Sequence, residues 1–304
     1  MKPSNNNLLI FILGPTAVGK TSLSINLAKQ YNCEIISADS RQFYRELNIG
    51  TAKPDSEQLS VVPHHFINSK SIEEDYNVSD FEKDVLIKTR ELFKKNQKII
   101  VVGGSGLYQH AIWHGLDNDI PASDPELRKE LNAIFEKDGI DVLQKKLFEL
   151  DQETYHSIDL RNHIRIIRAI EVCLLSNKPF SKLKISEKAN RPFDILKIGL
   201  NSDRSELHRR INERVDEMMA AGLLEEAKNL LSHKGKNALM TVGYRELFRY
   251  FDGELSLSEA VEKIKVNTRR YAKRQLTWYR RYDDIHWFEP EEIDKITALI
   301  NSFN

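Results

Sequence analysis

The octapeptide GPTAVGKT at residues 14–21 is the feature that most constrains how this 304-residue chain can fold. It matches the phosphate-binding pattern G-x-x-x-x-G-K-[ST] in full, with an apolar run before it and a helix-like stretch after it. Glycines let backbone N–H groups turn inward around a phosphate, and the N-terminus of the helix adds partial positive charge. The pattern therefore predicts a strand, a loop that binds a di- or triphosphate, and a helix.

Short apolar segments that alternate with helical patterns predict a parallel sheet covered on both faces. We expect strands at residues 8–13, 34–37, 98–102 and 195–200, and helices at 20–30, 79–95, 205–231 and 257–282. Residues 125–150 and 162–175 have helical periodicity and no strand signal. The sequence thus predicts an α/β fold with a P-loop NTPase-like parallel sheet flanked by helices. A catalytic core at 1–117 and 191–304 would carry an all-helical insertion domain at 118–190.

The overall composition argues against a zinc-binding protein and against a membrane protein, but it excludes few other classes. Lys+Arg and Asp+Glu both number 45, and a neutral total neither supports nor excludes a nucleic-acid partner. Two distant cysteines, Cys33 and Cys173, cannot form a zinc site by the usual spacings and indicate reduced thiols. The apolar run at 8–13 is too short for a signal-peptide core or a bilayer span. We expect a soluble, cytoplasmic protein with no membrane partner.

A P-loop identifies a phosphate ligand but not a reaction. A conventional NTPase adds an apolar strand that ends in Asp, whereas the strand at 98–102 continues into Gly103-Gly104. The strand at 34–37 leads instead to Asp39, and the carboxyl ends of parallel strands share one edge of a sheet. Asp39 is therefore either a metal-organising residue or a base facing the pocket, with a helix or turn cap as the plain alternative. Lys20 supplies a full charge, and the Thr21 hydroxyl can reach a Mg²⁺ ion.

Two basic segments are candidates for nucleic-acid binding. Residues 263–281 contain eight Lys/Arg and no Asp/Glu, with Tyr271, Trp278 and Tyr279 interleaved. Basic side chains neutralise phosphates, and aromatic rings stack on unpaired bases. A solvated basic helix face with its aromatics in the core is the alternative. The second segment places Arg161, Arg165 and Arg168 at i, i+4 and i+7, which predicts one shared helix face.

Two other pairs are predicted to be structural. His64 and His65 are adjacent on an extended segment, so they point to opposite faces and are unsuited to one metal. Glu225-Glu226 is expected on a solvated helix face rather than in an acid/base pair.

Taken together, the motifs resemble those of the tRNA dimethylallyltransferases, also called tRNA isopentenyltransferases, over nearly the whole chain. Besides the P-loop they are DSRQFY at 39–44, GTAKP at 50–54, HHF at 64–66, GGSGLY at 103–108, RAIEV at 168–172, GYRE at 243–246 and KRQLTW at 273–278. The resemblance implies transfer of a dimethylallyl group from dimethylallyl diphosphate to N6 of adenosine 37 beside the tRNA anticodon. The products would be N6-dimethylallyladenosine and diphosphate. Because the chain lacks the C-terminal zinc finger of eukaryotic relatives, we expect a bacterial-type member. Separately, we expect a monomer.

The resemblance also implies roles for individual residues. The diphosphate, rather than ATP, would be bound by Gly14, Pro15, Thr16, Ala17, Val18, Gly19, Lys20 and Thr21. Asp39 would take the proton from adenine N6, and Lys20, Thr21 and Arg214 would complete the catalytic set, with Thr21 as a ligand of Mg²⁺. The anticodon stem-loop would be bound by Asp39, Ser40, Arg41, Gln42, Ser105, Arg165, Arg168, Val242, Gly243, Tyr244, Arg245, Lys273, Arg274, Gln275, Trp278 and Arg280. Ser105 departs from the threonine that is common in the family but keeps the hydroxyl.

Three alternatives remain at the level of sequence. An adenylate isopentenyltransferase would act on free nucleotide, but it needs neither the helical insertion nor the basic C-terminal helix. A small-molecule P-loop kinase would need an arginine-rich lid, which we do not find. A non-catalytic RNA-binding module is disfavoured by Asp39 beside an intact P-loop.

Overall fold

The computed structural model describes residues 7–116, 120–183 and 189–303. They divide into two compact units, one of residues 1–113 and 190–304 and the other of residues 114–189. The chain enters and leaves the second unit at adjacent points, since the Ala189 N–H donates to the carbonyl of His114 at 2.9 Å. An insertion domain at 118–190 that binds RNA remains a prediction.

The first unit is built on a parallel sheet. Its strands are β1 (Leu8–Leu13), β2 (Ile35–Ser37), β3 (His64–His65), β4 (Lys98–Val102), β5 (Asp194–Leu200) and β6 (Ile285–Phe288). They lie in the order β3-β2-β4-β1-β5-β6, and every neighbouring pair is parallel. β1 lies between β4 and β5, with Leu9 opposite both Ile99 and Ile195. The predicted α/β class and parallel sheet are confirmed.

The helices follow in chain order. They are α1 (Lys20–Gln30), α2 (Ser56–Val61), α3 (Val78–Leu92), α4 (Gly106–His114), α5 (Pro125–Asp138), α6 (Ile140–Leu150), α7 (Gln152–Ser157), α8 (His163–Ser176), α9 (Phe180–Leu183), α10 (Arg204–Ala220), α11 (Leu223–Asn229), α12 (Tyr244–Phe251), α13 (Leu257–Tyr279) and α14 (Ile293–Ser302). No helix in the described ranges combines the length and apolar character needed to cross a membrane.

Both faces of β1 are buried, which explains its unbroken apolar sequence. Leu9, Phe11 and Leu13 belong to one hydrophobic cluster, whereas Leu8 and Ile10 belong to a second cluster on the other face. Side chains alternate along a strand, so a strand covered on both sides needs apolar residues at every position. This packing holds the loop at the end of β1 on a rigid support.

A glycine divides one predicted long helix, and another glycine divides the stretch at 125–150 that was predicted to be helical. Residues 125–150 form α5 and α6 on either side of Gly139 (φ 81°), and residues 205–231 form α10 and α11 on either side of Gly222 (φ 102°). A residue with positive φ ends a helix, and glycine adopts that conformation without a steric penalty. The prediction of a single helix at 205–231 was wrong because apolar periodicity continues across Gly222, whereas the helical character of 125–150 is confirmed.

The second unit contains only helices among its described residues. α5, α6 and α8 pack around Leu131, Leu143, Leu147, Ile166 and Ile170. Arg161 precedes α8, which begins at His163, so the predicted single face of Arg161, Arg165 and Arg168 was wrong.

Candidate active site

The phosphate-binding loop spans residues 14–19 between β1 and α1. Gly14, Ala17 and Gly19 have positive φ values of 134°, 66° and 105°. A Cβ at Gly14 would lie 2.4 Å from the carbonyl oxygen of Leu200, so no larger residue fits there. No side chain caps α1, and its first N–H groups remain available to an anion.

A cavity of about 390 Å³ lies at the carboxyl edge of the sheet. The four residues predicted as catalytic, Lys20, Thr21, Asp39 and Arg214, all line it. Thr16 and the β4 terminus at Gly103-Gly104 line it as well. Another part of its wall is apolar and comes from Val215, Met218, Leu223 and Ile264. One cavity therefore offers an anion-binding loop, a carboxylate and a surface for a hydrocarbon group.

Burial lowers the pKa of Lys20 and raises the pKa of Asp39. Burial, followed by the nearby Arg214 cation, lowers the pKa of Lys20 to about 7, while Asp39 opposes this shift. The Lys20 amine donates to the carbonyls of Gly14 at 3.0 Å and Pro15 at 2.7 Å. An anion bound here would restore the charge of Lys20 because it would raise the pKa of the amine.

Asp39 lies at the carboxyl end of β2, where Ala38 N–H donates to the carbonyl of Val102. Burial raises the pKa of Asp39, and the Arg41 N–H, which donates to Asp39 Oδ1 at 3.0 Å, and the charge of Lys20 oppose the rise. A carboxylate with a raised pKa is a stronger base than an exposed one. Asp39 thus lies in the cavity, where a base is needed, and the Arg41 hydrogen bond shows that it also shapes its turn.

Ser40, Arg41 and Gln42 follow Asp39 and line the same cavity, but they differ in how many hydrogen bonds their side chains make to other protein groups. Ser40 and Arg41 are half-buried, and the Ser105 hydroxyl accepts from Ser40 N–H at 2.8 Å and donates to Ser40 Oγ at 3.0 Å. Gln42 donates to the carbonyls of Thr51 and Ala52 and pairs through its amide oxygen with the Ser37 hydroxyl. Its amide is fully engaged by protein groups, so its structural role is to brace the turn at 51–52.

The basic helix α13 presents part of its predicted surface to solvent. Lys273, Arg274 and Arg280 are exposed, and Arg274 lies over the Tyr271 ring at 5.8 Å. Trp278 is half-buried against Gly106, with the Arg281 guanidinium 3.9 Å from its ring centroid. The stacking prediction was wrong for Tyr279, which is fully buried and donates to Gln109 at 2.8 Å.

The residues at 242–245, all predicted to bind RNA, fall into two groups in the structure. Val242, Gly243 and the exposed Arg245 line the cavity. Tyr244, predicted to bind RNA, is fully buried and donates to Glu226 Oε1 at 2.6 Å, and its ring fills the space beside Gly50. The structure corrects this prediction, since the Tyr244 side chain supports the protein and does not reach RNA.

In the insertion, the two predicted RNA-binding arginines have different surroundings. Arg165 is exposed near the start of α8. Arg168 donates to the buried Glu171 at 2.7 Å and to the carbonyl of Pro121 at 2.7 Å. Arg128 and Ser123 also donate to Glu171. Arg168 is thus primarily a structural residue that holds the start of the insertion to α8.

The sequence missed Glu226. Its carboxylate accepts from three consecutive backbone N–H groups, those of Asn48, Ile49 and Gly50, at 2.9–3.1 Å. The prediction of a solvated face holds for the exposed Glu225 and is wrong for Glu226. Nothing in the local pattern distinguishes the two residues, because the partners of Glu226 are far away in sequence.

The adjacent histidines have separate partners. His64 Nδ1 lies 2.7 Å from the carbonyl of Val62, and His65 Nε2 lies 2.7 Å from Glu34. His64 faces the cavity, whereas His65 is held by its hydrogen bond with Glu34 at the sheet edge. Opposite orientations were expected from their positions on β3.

A P-loop at the edge of a parallel sheet, with a buried carboxylate beside it and an apolar wall beyond, defines a phosphate-binding α/β protein whose site has room for a hydrocarbon group. Residues 42–282 match the sequence model of the family described as IPP transferase. The chain belongs to this family and is a prenyltransferase of the bacterial type.

Similar proteins agree over almost the full length. The chain is 53% identical over 302 residues to the tRNA dimethylallyltransferase of Christiangramia forsetii, covering 98% of this chain and 100% of the relative. It is 50% identical over 303 residues to that of Flavobacterium psychrophilum, covering 97% and 98%. The crystal structure of a Bacillus halodurans tRNA isopentenylpyrophosphate transferase superposes with a TM-score of 0.73 at 37% identity, covering 98% and 96%. A eukaryotic dimethylallyltransferase acting on tRNA gives a TM-score of 0.82 at 25% identity, covering 98% and 79%.

Proposed function

We propose that this protein transfers a dimethylallyl group from dimethylallyl diphosphate to N6 of the adenosine beside the tRNA anticodon. The observation that carries the proposal is the shared cavity of the phosphate-binding loop and Asp39. The high identity to proteins named tRNA dimethylallyltransferase supports the choice of substrates. An apolar wall beside the loop fits the five-carbon chain better than it fits a ribose.

The cavity suits the chemistry of a weak nucleophile. The N6 lone pair of adenine is delocalised into the ring, so the amine needs a base at nitrogen and a good leaving group at carbon. As the N–C bond forms, Asp39 takes the N6 proton and the allylic C–O bond breaks, with the electron pair leaving on diphosphate. Exclusion of water by the apolar wall protects the allylic carbon from hydrolysis.

Charge on the departing diphosphate is stabilised by groups that are already in place. Lys20 and Arg214 line the cavity, and the uncapped start of α1 would add its partial positive charge beside a bound diphosphate. The raised pKa of Asp39 and the lowered pKa of Lys20 both indicate that these groups are desolvated, which strengthens their interactions with substrate.

The residues present fit Mg²⁺ as a cofactor. Across residues 7–116, 120–183 and 189–303, no cluster of three or more His, Cys, Asp or Glu side chains is placed to hold a metal. The Thr21 hydroxyl, which lines the cavity, is a hard oxygen donor of the kind that Mg²⁺ prefers together with substrate phosphates. When bound, the ion would neutralise negative charge that develops on diphosphate.

We assign RNA binding to the exposed cations of two regions. Lys273 and Arg274 on α13 and Arg280 directly after it would neutralise backbone phosphates, and Trp278 would offer an aromatic surface to an unpaired base. Arg165 would contribute from the insertion. The adenine must leave its stack to reach Asp39, so we propose that the enzyme extrudes it. A cytoplasmic, monomeric enzyme remains our expectation.

Incubation with radiolabelled dimethylallyl diphosphate tests the proposal. Label should enter unmodified tRNA and should be absent from AMP in a parallel reaction. Label in AMP alone would instead identify an adenylate isopentenyltransferase. Label in neither acceptor would refute prenyl transfer to adenine, and an ATP-turnover assay would then test the kinase alternative.

A further inference from the structure

Gln275 occupies an unusual position on the helix that we assign to RNA. It is only 5% exposed, although its neighbours Lys273 and Arg274 are exposed. Successive helical residues are about 100° apart, so Gln275 and Tyr271 share the face that lines the cavity, and Lys273 points away from it. This burial places the Gln275 side chain inside the cavity rather than on the exposed surface that carries Lys273 and Arg274.

The side-chain amide of Gln275 joins two separate loops. Its oxygen accepts from the Thr16 N–H at 2.9 Å, and its NH₂ group donates to the carbonyl of Gly104 at 2.9 Å. Thr16 belongs to the phosphate-binding loop after β1, and Gly104 follows β4. One side chain of α13 therefore ties together two strand ends of the cavity.

Asp39 lies at the same junction. A Cβ added at Gly104 would meet Gln275 Nε2 at 2.4 Å and Asp39 Oδ2 at 3.5 Å. At the neighbouring Gly103, a Cβ would meet the Ala38 carbonyl oxygen at 2.2 Å. The turn at 103–104 is thus pressed against the segment that carries Asp39, and Gln275 holds the turn from the other side.

We propose that Gln275 is a positioning residue that fixes the diphosphate loop relative to the Asp39 carboxylate. Transfer requires the allylic carbon, which is held through its diphosphate, and the N6 atom, which is held beside Asp39, to meet within bonding approach. A shift of the loop against Asp39 would separate them, and small misplacements of reacting groups are costly. This inference rests on the proposed function, because it assigns the loop to dimethylallyl diphosphate.

Gln275→Met tests the proposal, since methionine keeps the length of the side chain but neither hydrogen bond. We expect kcat/KM for dimethylallyl diphosphate to fall by about 10-fold or more, because the Thr16 N–H loses its partner and the Gly104 carbonyl keeps only the longer bond from the Tyr271 hydroxyl. The Kd for unmodified tRNA, measured without the diphosphate, should stay within about twofold. Lys273→Met is the matched control, with a weaker Kd for tRNA and an unchanged KM for dimethylallyl diphosphate.

Gly104→Ala perturbs the hydrogen bond between Gln275 and Gly104 from the side of the loop. The added methyl group should displace the Gln275 amide and give the same kinetic defect with unchanged tRNA binding. In the double variant the two losses should not add, because both substitutions remove one interaction. Retained tRNA binding shows that each variant is folded, and the Gly104 variant serves alone if Gln275→Met does not fold.

Two results would overturn the proposal. One is a Gln275→Met enzyme whose Kd for tRNA weakens while its KM for the diphosphate is unchanged, which would make Gln275 an RNA contact. The other is a double variant whose losses add in full. Failure of the wild-type enzyme to label tRNA would instead refute the proposed function, so the two failures are distinguishable.

Discussion

The lowered pKa of Lys20 predicts that binding of dimethylallyl diphosphate weakens as pH rises above 7. Burial and Arg214 hold the pKa of the free-enzyme amine near 7. A bound diphosphate raises this pKa, so binding takes up a proton wherever the free amine is neutral. Well below pH 7 the Lys20 amine is already protonated, so its contribution to diphosphate affinity is constant. Above pH 7 the amine must take up a proton when the diphosphate binds, so the Kd rises with pH.

The size of the effect follows from the protonated fraction. With a pKa of about 7, roughly half of the free enzyme carries a charged Lys20 at pH 7, and about 3% does at pH 8.5. The Kd should therefore rise by up to about 16-fold over this interval if bound Lys20 remains charged. Even in its neutral form the amine has two N–H groups, which suffices for the carbonyls of Gly14 and Pro15.

Isothermal titration calorimetry with a non-reactive thiolodiphosphate analogue measures the effect without tRNA. Titrations in buffers of different ionisation enthalpy report proton uptake, which should approach one proton at pH 8.5. Lys20→Arg is the control, because its guanidinium stays charged and leaves only the titration of the ligand itself. Equal pH dependence in the wild type and the arginine variant would refute the assignment of the shift to Lys20.

Three further substitutions have distinct expected outcomes. Asp39→Ala should retain tRNA binding but lose about 10²–10⁴-fold in single-turnover rate, the scale of a general base. Arg274→Glu should weaken tRNA binding and flatten the dependence of log Kd on log salt by about one phosphate contact. Tyr244→Phe should lower the free energy of unfolding by about 1–3 kcal/mol, because the buried hydroxyl donates to the Glu226 carboxylate, and it should leave tRNA affinity unchanged.

For each substitution, one result would contradict the role that we assign to the residue. A turnover loss of less than a few-fold in Asp39→Ala would remove it as the base. An unchanged Kd across a salt series would exclude Arg274 from the RNA-binding surface. Normal urea stability combined with weaker tRNA binding in Tyr244→Phe would return that residue to the RNA contacts.

The parts of this protein that depend on local sequence could be predicted, and those that depend on distant partners could not. The continuous apolar run of β1 and the glycine pattern after it identify a buried strand and its loop, and the loop brings Lys20 and Thr21 with it. Asp39 followed from the shared edge of parallel strands. Motif resemblance, rather than spacing, supplied Arg214.

The errors have physical causes that a pattern does not record. Tyr244 was assigned to RNA by motif resemblance and Tyr279 by its basic neighbours, yet both hydroxyls are buried and donate to Glu226 and Gln109, respectively. The composition of the surrounding sequence does not show which face of a helix a residue occupies, or which residue distant in sequence is its hydrogen-bond partner. The short strand β6, with exposed His286 and Trp287, carried too little apolar signal to be found.

The contact between His114 and Ala189 has a consequence for how such a chain can fold and diversify. Because the two ends of the insertion meet, the core must close only one loop to align β5 with β1, whatever lies within it. The entropy of closing a flexible loop grows slowly, by about 0.6 kcal/mol for each doubling of its length. Segments of quite different size could therefore be exchanged at this point at little thermodynamic cost to the sheet, and a short glycine linker between residues 113 and 190 should leave a foldable core.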